Sequence, residues 1–336
     1  MIPKNKCIIA GPCSAESREQ VVSTAKSLAK IDSSIIYRAG IWKPRTSPGS
    51  FEGIGHKGLS WLKEVKETTG LKTATEVATP KHIEACLEND IDVLWIGART
   101  TVNPFAIQEL AEALRGTNKE ILIKNPIHLD IKLWVGAFER MERCSVKNTK
   151  AIHRGFSDGS PGIYRNSPHW EQLKTFNNLI PEKDIICDPS HISGNALLVP
   201  SIAEKASKLN LNGLMIETHH DPSNALSDAK QQIKPEQLEL LLNYLYEIPS
   251  ELKMLRSEID QTDEHLIELL ARRMDISKKI AEVKHSNKLE IHQPNRWKSL
   301  QQRNKDIANN NQLDPAFIHT LYEIIHEASI STQKSI

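Results

Sequence analysis

The chain has 336 residues, a net charge of +1, 39% hydrophobic and 25% charged residues. That length allows two domains. The balance is that of an ordinary globular protein, and near-neutrality excludes the basic footprint of a nucleic-acid binder. Five cysteines without metal-finger spacing point to reduced thiols in the cytoplasm. No apolar run is long enough for a signal peptide or a membrane span.

Eight short apolar runs alternate with amphipathic stretches. They are Cys7–Ala10, Ile35–Tyr37, Lys72–Ala74, Val93–Ile96, Ile121–Ile123, Ala151–Ile152, Ile185–Cys187 and Leu214–Ile216. Aliphatic runs of this length suit strands buried on both faces. Thr79-Pro80, Asn103-Pro104 and Ser167-Pro168 pair an N-cap residue with proline and predict helix starts. Eight such units predict a (β/α)8 barrel rather than an open sheet.

Barrel sites sit at the C-terminal strand ends. In chain order these carry Cys13; Arg38, Lys43 and Arg45; Glu76; Arg99; Lys124; Arg154; His191; and Glu217. Cations gathered at one mouth repel one another without an anionic guest, which predicts a substrate with several carboxylate or phosphate groups. Cys13, His191 and Glu217, with Asp228 just beyond the last run, are ligand types for Mn, Fe, Co or Zn. Taken singly, a buried cysteine or a hydrogen-bonded histidine is the commoner explanation of such residues.

A last barrel helix is expected from Pro235 to about Glu247, with Ile248-Pro249-Ser250 as the boundary between a domain 1–248 and a domain 249–336. The second domain reads as three helices. The first spans about Ser250 to Ser286, with Leu252, Leu255, Ile259, Leu266, Leu269, Leu270, Ile276 and Ile280 at helical spacing. The others start near Pro294 and at Asp314-Pro315. A piece of fewer than about 90 residues built on one long helix cannot bury its apolar face alone, so dimerisation is predicted.

Seven motifs in this order, AGPCSAE (10–16), KPRTS (43–47), IGART (96–100), IHRGF (152–156), DPSH (188–191), IETH (216–219) and ALSDAKQ (225–231), resemble those of 3-deoxy-D-arabino-heptulosonate 7-phosphate (DAHP) synthase, in the short branch similar to KDO-phosphate synthase. The resemblance implies a cytoplasmic metal-dependent enzyme that condenses phosphoenolpyruvate with erythrose 4-phosphate and releases phosphate. It also implies Cys13, His191, Glu217 and Asp228 as ligands of a divalent ion, Mn2+ first and Fe2+, Co2+ or Zn2+ as others. Arg38, Lys43, Arg99, Lys124 and Arg154 are then the phosphoenolpyruvate contacts, and Lys43, Arg45 and Thr46 the erythrose 4-phosphate contacts, with Asp188 also binding substrate. Lys43 is the expected proton donor to the aldehyde oxygen, its pKa tuned by cationic neighbours. In KDO-phosphate synthases the loop corresponding to KPRT reads lysine-alanine-asparagine-arginine, so KPRT favours the four-carbon sugar. Asn125-Pro126 after Lys124 departs from many relatives, which carry a glycine nearby.

Residues 251–336 resemble an all-helical chorismate mutase through Arg256, Arg273, Lys284, Arg296, Ser329 and Gln333. Arg273 and Lys284 lie about three turns apart on one helix face, whereas Arg256 lies roughly 100° away. Arg256 is therefore expected to come from the partner chain of a dimer. Lys284 and Gln333 are the expected donors to the breaking ether oxygen. Gln293 and Trp297 stand where many relatives carry acidic residues. The fusion predicts that prephenate or chorismate, sensed by the helical domain, inhibits the barrel. The alternatives are a KDO-phosphate synthase barrel or a metal-dependent aldolase, an isochorismate-pyruvate lyase in the helical domain, or helices that only dimerise. No nucleic-acid or membrane partner is expected.

Overall fold

A computed structural model of the chain describes residues 2–44, 49–159 and 162–334. It contains two compact units, Met1–Ile248 and Pro249–Ile336. In the first, eight parallel strands close into a barrel in chain order: β1 Cys7–Gly11, β2 Ile36–Arg38, β3 Thr73–Val77, β4 Val93–Ile96, β5 Glu120–Lys124, β6 Thr149–His153, β7 Ile185–Cys187 and β8 Gly213–Glu217. Parallel strands need crossovers, which the intervening helices supply.

The strands are two-sided in burial, which explains why they read as continuous apolar runs. Ile9, Ile36, Ala74, Val93, Trp95, Leu122, Ile152, Ile186 and Met215 fill the lumen. Outward-facing residues such as Ile8, Tyr37, Leu94, Ile123 and Ile216 belong to the outer core shared with the helices. Barrel closure is tight at Gly11, whose φ is +146°; a Cβ there would stand 2.1 Å from the Arg38 carbonyl oxygen. That close approach seats the loop after β1, which carries Cys13, against the end of β2.

The helix between β3 and β4 starts at Pro80 with the Thr79 side chain accepting from the His82 amide, and a helix after β4 starts at Pro104 with Asn103 as cap. The start expected at Ser167-Pro168 differs: that helix begins at Trp170, after His169 in the left-handed region, and Ser167 instead bridges Phe156. The last barrel helix runs Pro235–Tyr246.

Among its described residues the second unit contains three helices, Ser250–Ser286, Pro294–Asn310 and Pro315–Lys334. On the first of these, Leu252, Leu255, Ile259, Leu266, Leu269, Ile276 and Ile280 are between 40% and 64% exposed. The apolar stripe expected from the spacing is therefore left uncovered by this unit's own helices. Among the described residues, no helix is long and apolar enough to cross a membrane.

Candidate active site

Cys13 follows β1, Glu217 ends β8, and Asp228 lies in the loop after β8. One ligand atom from each comes within 4.8 Å of the others; Cys13 Sγ is 3.4 Å from Asp228 Oδ2. His191, on a short helix after β7, directs Nε2 to within 3.6 Å of Glu217 Oε1. Two metal–ligand bonds of about 2.0 to 2.3 Å span roughly this range of separations. Three donors thus cluster in one small volume with the His191 imidazole beside them at Glu217, and a thiolate, an imidazole and two carboxylates fit a divalent transition-metal ion.

Each donor is held from behind. Asp188, fully buried, caps the short helix by accepting from the His191 amide, and its carboxylate takes His191 Nδ1 at 2.8 Å. A ring held at Nδ1 offers Nε2 as the ligand atom, the usual carboxylate–histidine arrangement behind a metal. Gln231 donates to Glu217 Oε2 at 2.7 Å. Arg165 reaches Asp228 at 3.2 Å and Gln231 at 2.7 Å. Asp228 itself sits at φ +47°, a left-handed conformation that asparagine and aspartate tolerate better than most residues.

The electrostatics are polarised. Burial raises the Asp188 carboxyl, but His191, Lys124 and Arg38 outweigh it and hold the group well below the usual carboxylate range. Burial likewise raises Asp228, and Arg165, His191 and Lys43 bring it below that range. Glu217 is also lowered, with His191 and Arg38 overcoming burial. Burial, then the charge of Glu217, pushes the Cys13 thiol up to about 12. A bound cation reverses that logic and favours the thiolate.

Beside this cluster is a cavity of about 260 Å³ whose wall includes Lys43, Arg99, Lys124, Arg154, His191 and Asp228. Lys124, 5% exposed, is paired with Asp188 at 2.8 Å. Burial pushes the Arg154 guanidinium down to about 10; it donates to Asn166 Oδ1 at 2.9 Å. Asn125 accepts from the Arg154 amide at 2.7 Å and donates to the Gly155 carbonyl at 2.8 Å. Asn125 therefore ties the end of β5 to the end of β6 and spaces Lys124 from Arg154.

Lys43 Nζ lies 3.1 Å from the Cys13 carbonyl oxygen and 3.2 Å from Cys13 Sγ. Tuning by cationic neighbours does not describe it. Burial lowers the ammonium, but Cys13, Glu76 and Glu217 more than reverse this and its pKa is raised, with Arg38 a lesser opposing influence. Lys43 is therefore held protonated.

Arg38 is 1% exposed and lies behind the wall. Its Nη2 is 3.3 Å from both the Cys13 carbonyl oxygen and Glu217 Oε1. Arg45 and Thr46 lie outside the described residues. Glu76, given no role from sequence, lines the cavity, as do Arg165 and Asn166. Arg165 and Asn166 have no local pattern that marks them; the signals were the strand-end placement of Glu76 and, for Gln231, its place at the end of ALSDAKQ.

In the helical unit, Arg273 Nη1 donates to Ser329 Oγ and lies 3.4 Å from the Ile325 carbonyl oxygen. Lys284 Nζ donates to Gln333 Oε1 at 3.2 Å and to the Ile291 carbonyl at 2.6 Å. Gln333 in turn donates to Ser277 at 2.9 Å. Four of the six expected residues thus meet between the first and third helices. Arg256 and Arg296 are exposed and are not brought to them. Gln293 precedes the second helix without a side-chain capping bond, and Trp297 stacks on His326 with ring centroids 4.0 Å apart.

Comparison with known proteins accounts for both units. A family model described as the DAHP synthetase I family matches residues 3–254, and one described as chorismate mutase type II matches residues 255–334. The chain is 33% identical over 228 residues to the phospho-2-dehydro-3-deoxyheptonate aldolase of Thermotoga maritima, covering 67% of this chain but only 64% of that relative's length. It is 28% identical over 255 residues to the 2-dehydro-3-deoxyphosphooctonate aldolase of Caulobacter vibrioides, covering 70% of this chain and 84% of the relative. The crystal structure of the Thermotoga maritima DAHP synthase superposes with a TM-score of 0.65 at 28% identity, covering 74% of this chain and 70% of that one. A truncated form of a synthase from the same organism gives 0.62 at 26% identity, covering 76% and 87%. The chain belongs to the DAHP synthetase I family through its barrel and carries a chorismate mutase type II region after it.

Proposed function

We propose that the barrel condenses phosphoenolpyruvate with erythrose 4-phosphate to DAHP and phosphate, and that the helical unit rearranges chorismate to prephenate. The observation that carries the first reading is the cavity walled by Lys43, Arg99, Lys124 and Arg154 directly beside Cys13, His191, Glu217 and Asp228. Phosphoenolpyruvate brings a carboxylate and a phosphate, and a wall carrying these four cations, of which Lys124 and Arg154 are buried, suits both. The family match and the 33% relative favour this reading over the five-carbon sugar alternative, for which the relatives compared are 28% to 29% identical.

A divalent ion held by Cys13, His191, Glu217 and Asp228 supplies Lewis acidity toward the aldehyde. The chain's own groups do the rest. Arg99, Lys124 and Arg154 hold the enol phosphate so that its C3 faces the aldehyde carbon, turning the encounter into a positioned step. Lys43, kept protonated, gives a proton to the aldehyde oxygen as the carbon–carbon bond forms. Water adds to C2, and Glu76, the cavity-lining carboxylate outside the ligand set among the described residues, accepts its proton. Phosphate then leaves, with its charge compensated by the same cations.

In the helical unit the reaction needs no covalent catalysis. Arg273 and Lys284 suit a dianion, and Lys284 with Gln333 offers donors to the breaking ether oxygen. The uncovered stripe from Leu252 to Ile280 is covered in a homodimer, which also brings Arg256 from the partner chain. The same unit serves as the sensor through which prephenate restrains the barrel, which requires that prephenate bind one state of the protein more tightly than another.

Replacing Gln231 by Leu removes the donor behind Glu217 and weakens Mn2+ binding about 10- to 100-fold; equilibrium dialysis with unchanged affinity contradicts the ligand set. Arg256→Ala and Arg273→Ala are each expected to lose chorismate turnover, and mixing the two after reversible unfolding restores part of it. No recovery on mixing contradicts a site shared across the dimer. A chain ending at Ile248 keeps synthase activity and loses inhibition by prephenate; inhibition that persists contradicts the sensor role.

A further inference from the structure

Among the described residues, Trp95 is the one aromatic residue in the apolar lumen layer, whose other members are aliphatic apart from Met215 and the partly buried Cys7 packed at its edge. It is fully buried, and a buried indole needs a partner for its N–H. Nε1 donates to Glu76 Oε2 at 3.2 Å, and the two residues are direct register partners on β3 and β4. The other carboxylate oxygen of Glu76 is set against Gly97, where an added Cβ would stand 2.1 Å from Oε1. Glu76 is thus held between Trp95 on β4 and Gly97 just after that strand.

The face of the same indole carries a cation. The Arg38 guanidinium carbon lies 4.7 Å from the ring centroid, within the range of a cation–π contact. Arg38 needs that contact. Its Nη2 makes two long interactions, while Nε and Nη1, both buried, have no hydrogen-bond partner among the described residues. A buried guanidinium left so incompletely paired is costly unless something else compensates it. An indole N–H lies in the ring plane and a cation–π partner lies above it, so carboxylate and guanidinium meet Trp95 from different directions. Among the described residues, Arg38 and Glu76 form no ion pair with each other; Arg38 pairs with Glu217 instead.

We propose that Trp95 is a positioning residue for the synthase reaction: one indole holds the Glu76 carboxylate in the cavity wall by its edge and the Arg38 guanidinium behind Cys13 and Glu217 by its face. This rests on the synthase reading above. Without the indole, two opposite charges on adjoining strands are released to approach one another. Glu76 then leaves the water it serves, and Arg38 leaves the carboxylate of a candidate metal ligand.

Two substitutions in the full-length protein separate the two functions of the ring. Trp95→Phe keeps the face and removes the N–H. Trp95→Leu removes both. Turnover is normalised to Mn2+ sites titrated in each preparation, so misfolded protein drops out of the comparison. Trp95→Phe is expected to lower kcat about 10-fold or more, the weight of a hydrogen bond to a charged group, while the Mn2+ dissociation constant and both KM values stay within about twofold. Trp95→Leu is expected to lower kcat similarly and in addition to weaken Mn2+ binding by about 3- to 30-fold, through Arg38 and Glu217. If the Leu protein fails to fold, the Phe protein alone decides. Wild-type kcat per site in Trp95→Phe overturns the proposal, as does a Mn2+ affinity and a pair of KM values that worsen together with kcat. A wild-type protein that does not consume phosphoenolpyruvate overturns the synthase reading and this proposal with it; wild-type turnover without the split overturns this proposal alone.

Discussion

The fully buried carboxylate of Asp188 joins the two halves of the barrel site. A charge in that position is tolerated only when its partners surround it. Here Lys124 supplies one side at 2.8 Å and His191 the other at 2.8 Å. Lys124 belongs to the cation-lined cavity and His191 to the cluster of candidate metal ligands. One carboxylate therefore sets the distance between the two and fixes which imidazole nitrogen is presented. Glu217 plays the matching part a strand away, between His191, Arg38 and Gln231. The site is a chain of polar partners in which each member orients the next, and loss of any one removes part of the compensation of a buried carboxylate.

This arrangement follows from barrel closure. Eight parallel strands in chain order deliver all their C-terminal ends to one rim, so residues far apart in sequence arrive within hydrogen-bonding reach. That is why the strand-end residues could be read together from the sequence. The runs themselves were legible because lumen and outer shell are both apolar, which removes the polar alternation of a half-exposed sheet. The helix start expected at Ser167-Pro168 is displaced to Trp170 because Ser167 is taken up by the bridge to Phe156 and His169 turns left-handed. A cap-plus-proline signal carries no knowledge of such a competing tertiary contact.

The candidate metal ligands were legible only as residue types at strand ends, since dispersed residues have no spacing of their own. The parts played by Glu76, Asn125 and Gln231 were not legible although each was noted at a strand end or in a motif, and Asn166 and Trp95 carried no signal. Their importance depends on which way a side chain points at the barrel rim, and that is set by strand register. Trp95 in particular reads as one more apolar residue in VLWI. In the helical unit, periodicity correctly groups Arg273 with Lys284 and Ser329 with Gln333, because a single helix fixes those directions locally. The same periodicity places Arg256 elsewhere, and the exposed stripe on its helix is the physical reason to look to a second chain.

The measurement that bears most directly on the account is phosphoenolpyruvate consumption by the purified full-length protein. Erythrose 4-phosphate and arabinose 5-phosphate are compared as acceptors, each with and without a chelator. The account predicts phosphate release with the four-carbon sugar alone, abolished by the chelator and restored by added Mn2+. Turnover only with the five-carbon sugar, or turnover indifferent to the chelator, contradicts it.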